Sequence, residues 1–177
     1  MITTERLILR PFQPENEKDL LDFFEYRKGE EIPAYQGSKK INTIEEAKEL
    51  IFDEYITIKG EKIVFAAEHK ELECIIGMAS LTLNNENDEV IVGYEFGVDY
   101  WGFGYATETL KALIDYSFNV LQANRIEGRH FDNNEASGRV MEKCGMKLEG
   151  ISRQKVKMGS LYRDIYKYAI LKVDFDV

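Results

Sequence analysis

Cysteine and histidine are scarce: the chain has 2 of each, Cys74 and Cys144, His69 and His130. Neither close-paired thiols nor a His-rich partner set is present, which excludes a disulfide framework and a zinc site; both thiols are expected to be reduced and structural, and no metal is implied. No apolar run approaches the roughly 18 residues of a membrane span, and Met1-Ile2-Thr3-Thr4-Glu5-Arg6 lacks the basic-then-apolar layout of a signal peptide, so a cytoplasmic protein without membrane attachment is expected. A basic stripe is missing too. With a net charge of −9 and no cluster of Lys/Arg beyond pairs, direct nucleic-acid binding is not expected, and the field suits a cationic or neutral substrate.

What is there is an ordinary globular balance, 44% hydrophobic and 31% charged over 177 residues. That is enough to bury a substantial core and too short for two domains of usual size, so a single domain over 1–177 is expected. Arg6 to Pro11 reads as a first strand closed by a residue that has no N–H to donate. Pro14 opens a helix with an apolar stripe of Leu20, Leu21, Phe23 and Phe24. Lys28 to Asn42 has no periodicity and reads as an exposed connection. A second helix follows, opened by the Thr43-x-x-Glu46 capping box and carrying Ala47, Leu50, Ile51 and Tyr55 on one side.

Three strands, Lys62 to Glu68, Cys74 to Leu83 and Glu89 to Val98, have short polar links and read as an antiparallel meander. The period then changes from two to 3.6, with Ala106, Leu110, Leu113, Ile114, Ser117 and Phe118 on one helical face. Arg125 to Phe131 is a further strand, and Asn134 to Cys144 a short helix stopped by Gly145. Lys147 to Lys157 and Leu161 to Val173 flank a hairpin turn at Met158-Gly159-Ser160. The total is an α+β (α/β) domain with a mixed sheet flanked by helices.

The chemistry concentrates where the third strand of the meander gives way to the long helix. Gly102 and Gly104 leave the backbone open to a ligand, and N–H groups at a helix start are unpaired and lie at the positive end of the dipole. Such a turn holds phosphate without any basic side chain. Three readings of it stand: a tight turn whose glycines serve backbone angles alone; a nicotinamide- or other dinucleotide-binding fold, with Gly102-x-Gly104-x-x-Thr107 short of a third glycine and Glu127 near the ribose-binding distance; and membership of a known family.

Trp101-Gly102-Phe103-Gly104-Tyr105-Ala106-Thr107-Glu108 resembles the acetyl-CoA motif of the GNAT acetyltransferases, in the form found in their RimJ/RimL-type branch. Thr4-Glu5-Arg6-Leu7-Ile8-Leu9-Arg10 resembles that branch's opening strand. Ile76-Gly77 resembles its third strand, and Asn134-x-x-Ser137-x-x-Val140-x-Glu142-Lys143-x-Gly145-Met146 is similar to its second signature. The resemblance implies a twisted, mostly antiparallel sheet that splays open to admit acetyl-CoA as cosubstrate. It assigns Phe96 to Val98 to the pantetheine arm, Trp101, Gly102, Phe103, Gly104, Tyr105, Ala106 and Thr107 to the pyrophosphate turn, and Asn134 to the far side of the cleft. One departure stands out: Met141 occupies a position where many members of the family have a tyrosine that protonates the leaving thiolate, and methionine has no proton to give. In the RimJ/RimL-type branch a serine at the position of Ser137 is the implied replacement.

Acyl transfer to an amine requires an unprotonated nitrogen, so a base or a water chain must take a proton. On the strand before the turn, Gly93, Glu95 and Gly97 share one face. The flanking glycines suggest open space around Glu95, which makes it the base candidate, with pairing to a neighbouring cation the alternative. The backbone N–H of Val98 is the expected oxyanion donor. His69 and His130 have no role in this scheme. The resemblance puts Asp164 and Tyr166 on the acceptor side, and the segment from Lys28 to Lys40 is expected to shape the acceptor pocket. The implied reaction is acetylation of a primary amine, foremost a protein N-terminus of the ribosomal-protein type. Polyamines, small-molecule amines and a non-catalytic coenzyme A sensor are the alternatives, and the reading admits a homo-oligomer.

Overall fold

The computed structural model describes residues 1–13, 15–52 and 62–175; Pro14, expected to open the first helix, and Tyr55, expected on the second helix's apolar side, lie outside them. Alternating side chains organise the first half of the sheet. β1 (Ile2–Thr3), β2 (Leu7–Arg10), β3 (Lys62–His69), β4 (Cys74–Asn84) and β5 (Glu89–Phe96) run antiparallel, each to the next. The expected meander is therefore present, preceded by a two-residue edge strand. The second half is β6 (Arg125–Phe131), β8 (Leu161–Leu171) and β7 (Lys147–Met158), again antiparallel. The halves join through one parallel pairing, giving the order β1-β2-β3-β4-β5-β6-β8-β7.

Both faces of the sheet are covered. α1 (Glu17–Arg27), α2 (Glu31–Gln36) and α3 (Ile44–Leu50) supply Phe23, Tyr26, Ile32, Ala47 and Leu50 to a cluster on Val64, Ala66 and Met78. α4 (Tyr105–Asn119) and α5 (Glu135–Lys143) pack on Phe65, Ala67, Val90 and Val92 from the other side, and α6 (Lys172–Phe175) brings Phe175 to Phe118. Adjacent β3 residues thus serve opposite cores, as a pleated strand requires. The buried side of α4 is the one the 3.6 period indicates, with Thr109 added to Leu110, Leu113, Ile114, Ser117 and Phe118.

The helix ends follow local chemistry. Asn16 accepts from the Lys18 N–H, Thr43 from the Glu46 N–H and Asn134 from the Ser137 N–H. The capping box at Thr43 is displaced by one residue on its return leg, since the Glu46 carboxylate takes the N–H of Asn42 at 2.7 Å. Gly145, at φ +84°, ends the run after α5 in the left-handed conformation.

Two expectations need correction. The segment Lys28 to Asn42 is not an exposed connection: it contains α2 and buries Ile32 and Ile41 at 4% and 1% exposure. The expected stripe of α1 is shifted in part: Phe23 is buried and Leu20 and Phe24 pack on the same cluster, but Leu21 is 46% exposed and Asp19, Tyr26 and Arg27 are buried as well. Burial of two charged groups is possible because each meets an opposite charge: Asp19 takes both Arg10 terminal nitrogens, at 2.7 and 2.8 Å, and Arg27 meets Glu95. Among the described residues no helix is long and apolar enough to cross a membrane.

Candidate active site

β5 and β6 pair at Glu89, Val90 and Ile91 against Arg125, Ile126 and Glu127, and then diverge. From Val92 onward, the β6-facing side of β5 has no ladder partner, and buried backbone groups of this kind require one. The divergence opens a cleft of about 610 Å³ lined by β5 residues Tyr94 to Phe96, Tyr100 to Gly102 and Gly104 to Thr107 of the turn and, opposite, Asp132 to Ser137 with Arg139, Val140 and Lys143. A second cavity of about 320 Å³ is lined by Met78, Ser80, Gly93, Arg129, His130, Phe131, Met141 and Ile165. The two share Tyr35, Tyr94, Glu95, Asn134 and Ser137, so they meet where the sheet splits.

At the cleft mouth Gly102 and Gly104 adopt φ +83° and +85°, and a side chain at Gly102 would meet nothing within 4 Å. Backbone conformation, not crowding, therefore demands glycine here. α4 has no side-chain cap, and its first ladder bond runs from Glu108 N–H to Gly104 O. The N–H groups of Tyr105, Ala106 and Thr107 thus lack helical partners and face the cleft end of a 15-residue helix. Unpaired amides and the positive end of the dipole together favour an anion.

Arg6 and Glu108 buttress this turn, a connection that sequence reading missed. The Glu108 carboxylate accepts from Thr4 Oγ1 at 2.6 Å and from Arg6 N and Nε at 2.7 Å each, while Arg6 Nη1 donates to Phe103 O at 2.9 Å. Burial pushes the Glu108 carboxyl up, but these hydrogen bonds outweigh it and hold the group below its ordinary value. Glu108 therefore stands as an anion beside this turn with its charge already matched. The Arg6 guanidinium also lies 4.4 Å from the Tyr105 ring centroid.

Of the residues expected to bind the cofactor, Phe96, Trp101, Gly102, Gly104, Tyr105, Ala106, Thr107 and Asn134 line the cleft, whereas Val98 and Phe103 do not. β5 ends at Phe96, and Val98 to Tyr100 form a 3-10 turn in which Tyr100 N–H bonds Gly97 O and Trp101 N–H bonds Val98 O. That turn carries Val98 to the surface at 41% exposure, so the expected oxyanion position falls outside the cleft lining. Phe103 is 62% exposed and stacks on Tyr105. The Phe96 carbonyl accepts the Trp101 indole N–H at 2.7 Å, which uses one of its two lone pairs.

Glu95 is not in open space. It is 5% exposed, and its Oε1 accepts from Arg27 Nε at 2.7 Å and Tyr26 OH at 3.0 Å. The flanking glycines serve close packing instead: a side chain at Gly93 would meet Ser80 Oγ at 2.7 Å, and one at Gly97 would meet Tyr26 Cβ at 2.9 Å. A carboxylate committed to a buried guanidinium is an electrostatic fixture, so the premise for a free base at Glu95 fails. Ser137 fares differently, lying where both cavities meet, with its carbonyl accepting from Tyr94 OH at 3.2 Å. Burial pushes the Tyr94 phenol up, so it acts as a donor. Asn134 lines both cavities and also caps α5. Met141, 2% exposed, lies in the wall of the second cavity and places sulfur, not hydroxyl, there.

Two further expectations shift, while the segment from Lys28 to Lys40 reaches both cavities through Tyr35. Asp164 accepts from the Gln154 N–H at 2.7 Å and Tyr166 stacks on His130, and neither lines these two cavities; the neighbouring Ile165, on the opposite face of β8, lines the smaller one. Glu127 is consumed by ion pairs with Arg125 and Arg129, which leaves no acid for a ribose. The segment from Lys28 to Lys40 brings Ile32 and Tyr35 to the cleft, where Tyr35 meets Trp101 edge-on at 5.5 Å. Asn133 Nδ2 donates to Ala34 O at 3.0 Å and ties α2 to the far wall.

This architecture and motif order match known proteins. A family model described as "Acetyltransferase (GNAT) domain" matches residues 6–147. The "Uncharacterized N-acetyltransferase p20" of Bacillus licheniformis is 28% identical over 174 residues, covering 97% of this chain and 96% of its own. The "Putative ribosomal N-acetyltransferase YdaF" of Bacillus subtilis is 30% identical over 103 residues, 58% of this chain and 56% of its own. The solved structure of a GNAT-family acetyltransferase from Bacillus anthracis superposes with a TM-score of 0.84 at 26% identity, covering 97% of this chain and 98% of that one.

Proposed function

This chain belongs to the GNAT acetyltransferase family, and on that premise we propose that it transfers the acetyl group of acetyl-CoA to a primary amine by direct attack in a ternary complex. The observation that carries the reading is the junction of two cavities at Tyr94, Glu95, Asn134 and Ser137, one of them open to the anion-binding turn. Acetyl-CoA enters the larger cleft with its pyrophosphate on the Gly102–Thr107 amides. Its pantetheine amides run along the unpaired side of β5, and its thioester reaches the junction. The amine approaches through the smaller cavity, beside His130 and Met141.

Ser137 is the group we assign to protonating the leaving thiolate, because Met141 supplies no proton and Ser137 lies at the junction. Glu95 takes an electrostatic role: paired with Arg27, it fixes the floor on which both substrates meet. Val98 is not assigned a part.

The acceptor we propose is a protein N-terminal amine, in keeping with a RimJ/RimL-type enzyme acting in the cytoplasm. Two features support it over a polyamine. The smaller cavity offers one carboxylate, Glu95, already matched by Arg27, and one guanidinium, Arg129; a polycation finds no row of acids there. An α-amine, with a pKa of about 7.7–8.0 against about 10.4 for lysine, gives up its proton to a modest base. Mixing the protein with acetyl-CoA and a panel of N-terminal peptides, polyamines and aminoglycosides tests the reading by release of free thiol. Peptide-dependent release is expected. Tight coenzyme A binding with no amine-dependent release would point instead to a cofactor sensor, the alternative that Met141 keeps in view.

A further inference from the structure

One buried titratable side chain on the wall of the acceptor cavity has no part in the scheme above. His130, on β6, is 8% exposed and lines the smaller cavity. Its Nδ1 lies 2.8 Å from the carbonyl oxygen of Phe131. A carbonyl only accepts, so Nδ1 carries the hydrogen and Nε2 of the neutral ring presents a lone pair. That Nε2 is buried and has no hydrogen-bond partner among the described residues, an arrangement that buried polar atoms avoid unless it serves a purpose.

The surroundings hold the ring in this orientation. Tyr166 stacks on it at 5.0 Å between centroids and 16° between planes, and Tyr168 lies tilted at 5.7 Å. Across from Nε2, α5 carries Gly138 in ordinary helical conformation, and a side chain there would come within 2.8 Å of Nε2 and 3.3 Å of Tyr168 OH. Absence of that side chain gives the two polar atoms a shared space. Tyr168 OH in turn donates to Glu142 Oε1 at 3.1 Å, and Glu142 is exposed. Tyr168 and Glu142 thus form a hydrogen-bonded pair beside the ring that reaches solvent. The other titratable or charged groups lining this cavity are Tyr35 from α2, Tyr94 and Glu95 from β5 and Arg129 from β6. Tyr94 is engaged as a donor and Glu95 is ion-paired, so neither competes for a proton.

We propose that His130 Nε2 is the proton acceptor for the incoming amine, a role that rests on the acetyl-transfer reading. The ammonium gives one proton to Nε2, which becomes imidazolium, and the freed nitrogen attacks the thioester carbonyl. The C–N bond forms and the C–S bond breaks. The amine loses its second proton as the thiolate gains one, so the products are the amide and coenzyme A thiol. The imidazolium returns its proton to solvent once the products leave, and the neutral ring is restored. Glycine at 138 is the complementary feature, because any side chain would push on the accepting nitrogen.

Steady-state thiol release, measured against pH with saturating acetyl-CoA and the best amine of the panel, tests this in the wild type, His130→Gln and Gly138→Ala. Glutamine keeps polarity but takes no proton. The expected result for H130Q is a fall in kcat/KM of about 10²–10⁴-fold and loss of the acid-side limb of the profile, with coenzyme A affinity unchanged by calorimetry. G138A is expected to lower the rate with the same coenzyme A affinity. Should H130Q fail to fold, G138A carries the test through its loss of rate at unchanged coenzyme A affinity. An unchanged limb in folded H130Q, or a wild-type rate in G138A, overturns the proposal. Absence of thiol release by the wild type with every amine would instead overturn the acetyl-transfer reading on which it rests.

Discussion

Gly102→Ala isolates the backbone contribution of the anion-binding turn. The residue sits at φ +83°, and an added Cβ meets no protein atom within 4 Å, so the substitution introduces no clash within the protein. Its cost is conformational: holding alanine in the left-handed region is worth about 1–2 kcal/mol. If the empty turn keeps its shape, that cost falls on the folded state, at about 2–4 °C of melting temperature per kcal/mol for a chain of this size. If the empty turn relaxes, the same cost is met on ligand binding and weakens Kd about 5- to 30-fold. Gly102 lines the cleft, so the new methyl also stands where a pyrophosphate would approach, which adds to the loss on the binding side. Calorimetric titration with coenzyme A, run beside a thermal melt, separates the two. The expected outcome is a Kd at least about fivefold weaker, with kcat at saturating acetyl-CoA within about twofold of wild type, since ground and transition states lose equally. A coenzyme A Kd unchanged by G102A, whatever the melting temperature does, would refute the claim that the ligand lies against this turn.

Glu95→Gln removes the carboxylate that the Arg27 guanidinium, 2% exposed, meets at 2.7 Å; urea unfolding should show a loss of about 3–5 kcal/mol, and a loss below about 1 kcal/mol would mean the pair is effectively solvated. Glu108 titrates below its ordinary value in the folded protein, so its stabilising contribution is present above about pH 4.3 and is lost as pH falls through the lower folded value. The melting-temperature gap between wild type and Glu108→Gln should therefore be wide at neutral pH and close on acidification; a gap that widens in acid contradicts this. Burial pushes the Cys144 thiol up to about 11, so at pH 8 it should alkylate roughly 200-fold more slowly than an ordinary thiol, and rapid modification of Cys144 by iodoacetamide would show the site to be open.

Much of the fold was legible because it rests on local patterns. The period-two runs of β3 to β5, the change to 3.6 in α4 and the glycines between them are properties of neighbouring residues, and the turn follows from them. α2 escaped notice because six residues containing Pro33 carry no apolar period, and its reason for being helical is tertiary, since Ile32 packs into the core and Ala34 is held by Asn133. The environment of Glu95 was equally hidden: alternation located its face correctly, but the cation that fills the space comes from 68 residues upstream. Glu108 was recognised as part of a motif, while its partner Arg6 lies 102 residues away. Val98 was misplaced by two residues of strand end, where a 3-10 turn replaced the extended backbone. Short-range signals therefore located the glycine turn at the head of α4, whereas the charge pairs around Glu95 and Glu108 are set by long-range contacts.

The central claim is that backbone amides from Gly102 to Thr107 hold the coenzyme A pyrophosphate. Amide 1H–15N spectra recorded during titration with coenzyme A test it at those atoms. The account predicts large, saturable shifts at Gly102, Gly104, Tyr105, Ala106 and Thr107 with coenzyme A, and none of comparable size with NAD. Shifts confined to other parts of the chain, or a turn that responds to NAD and not to coenzyme A, would contradict it.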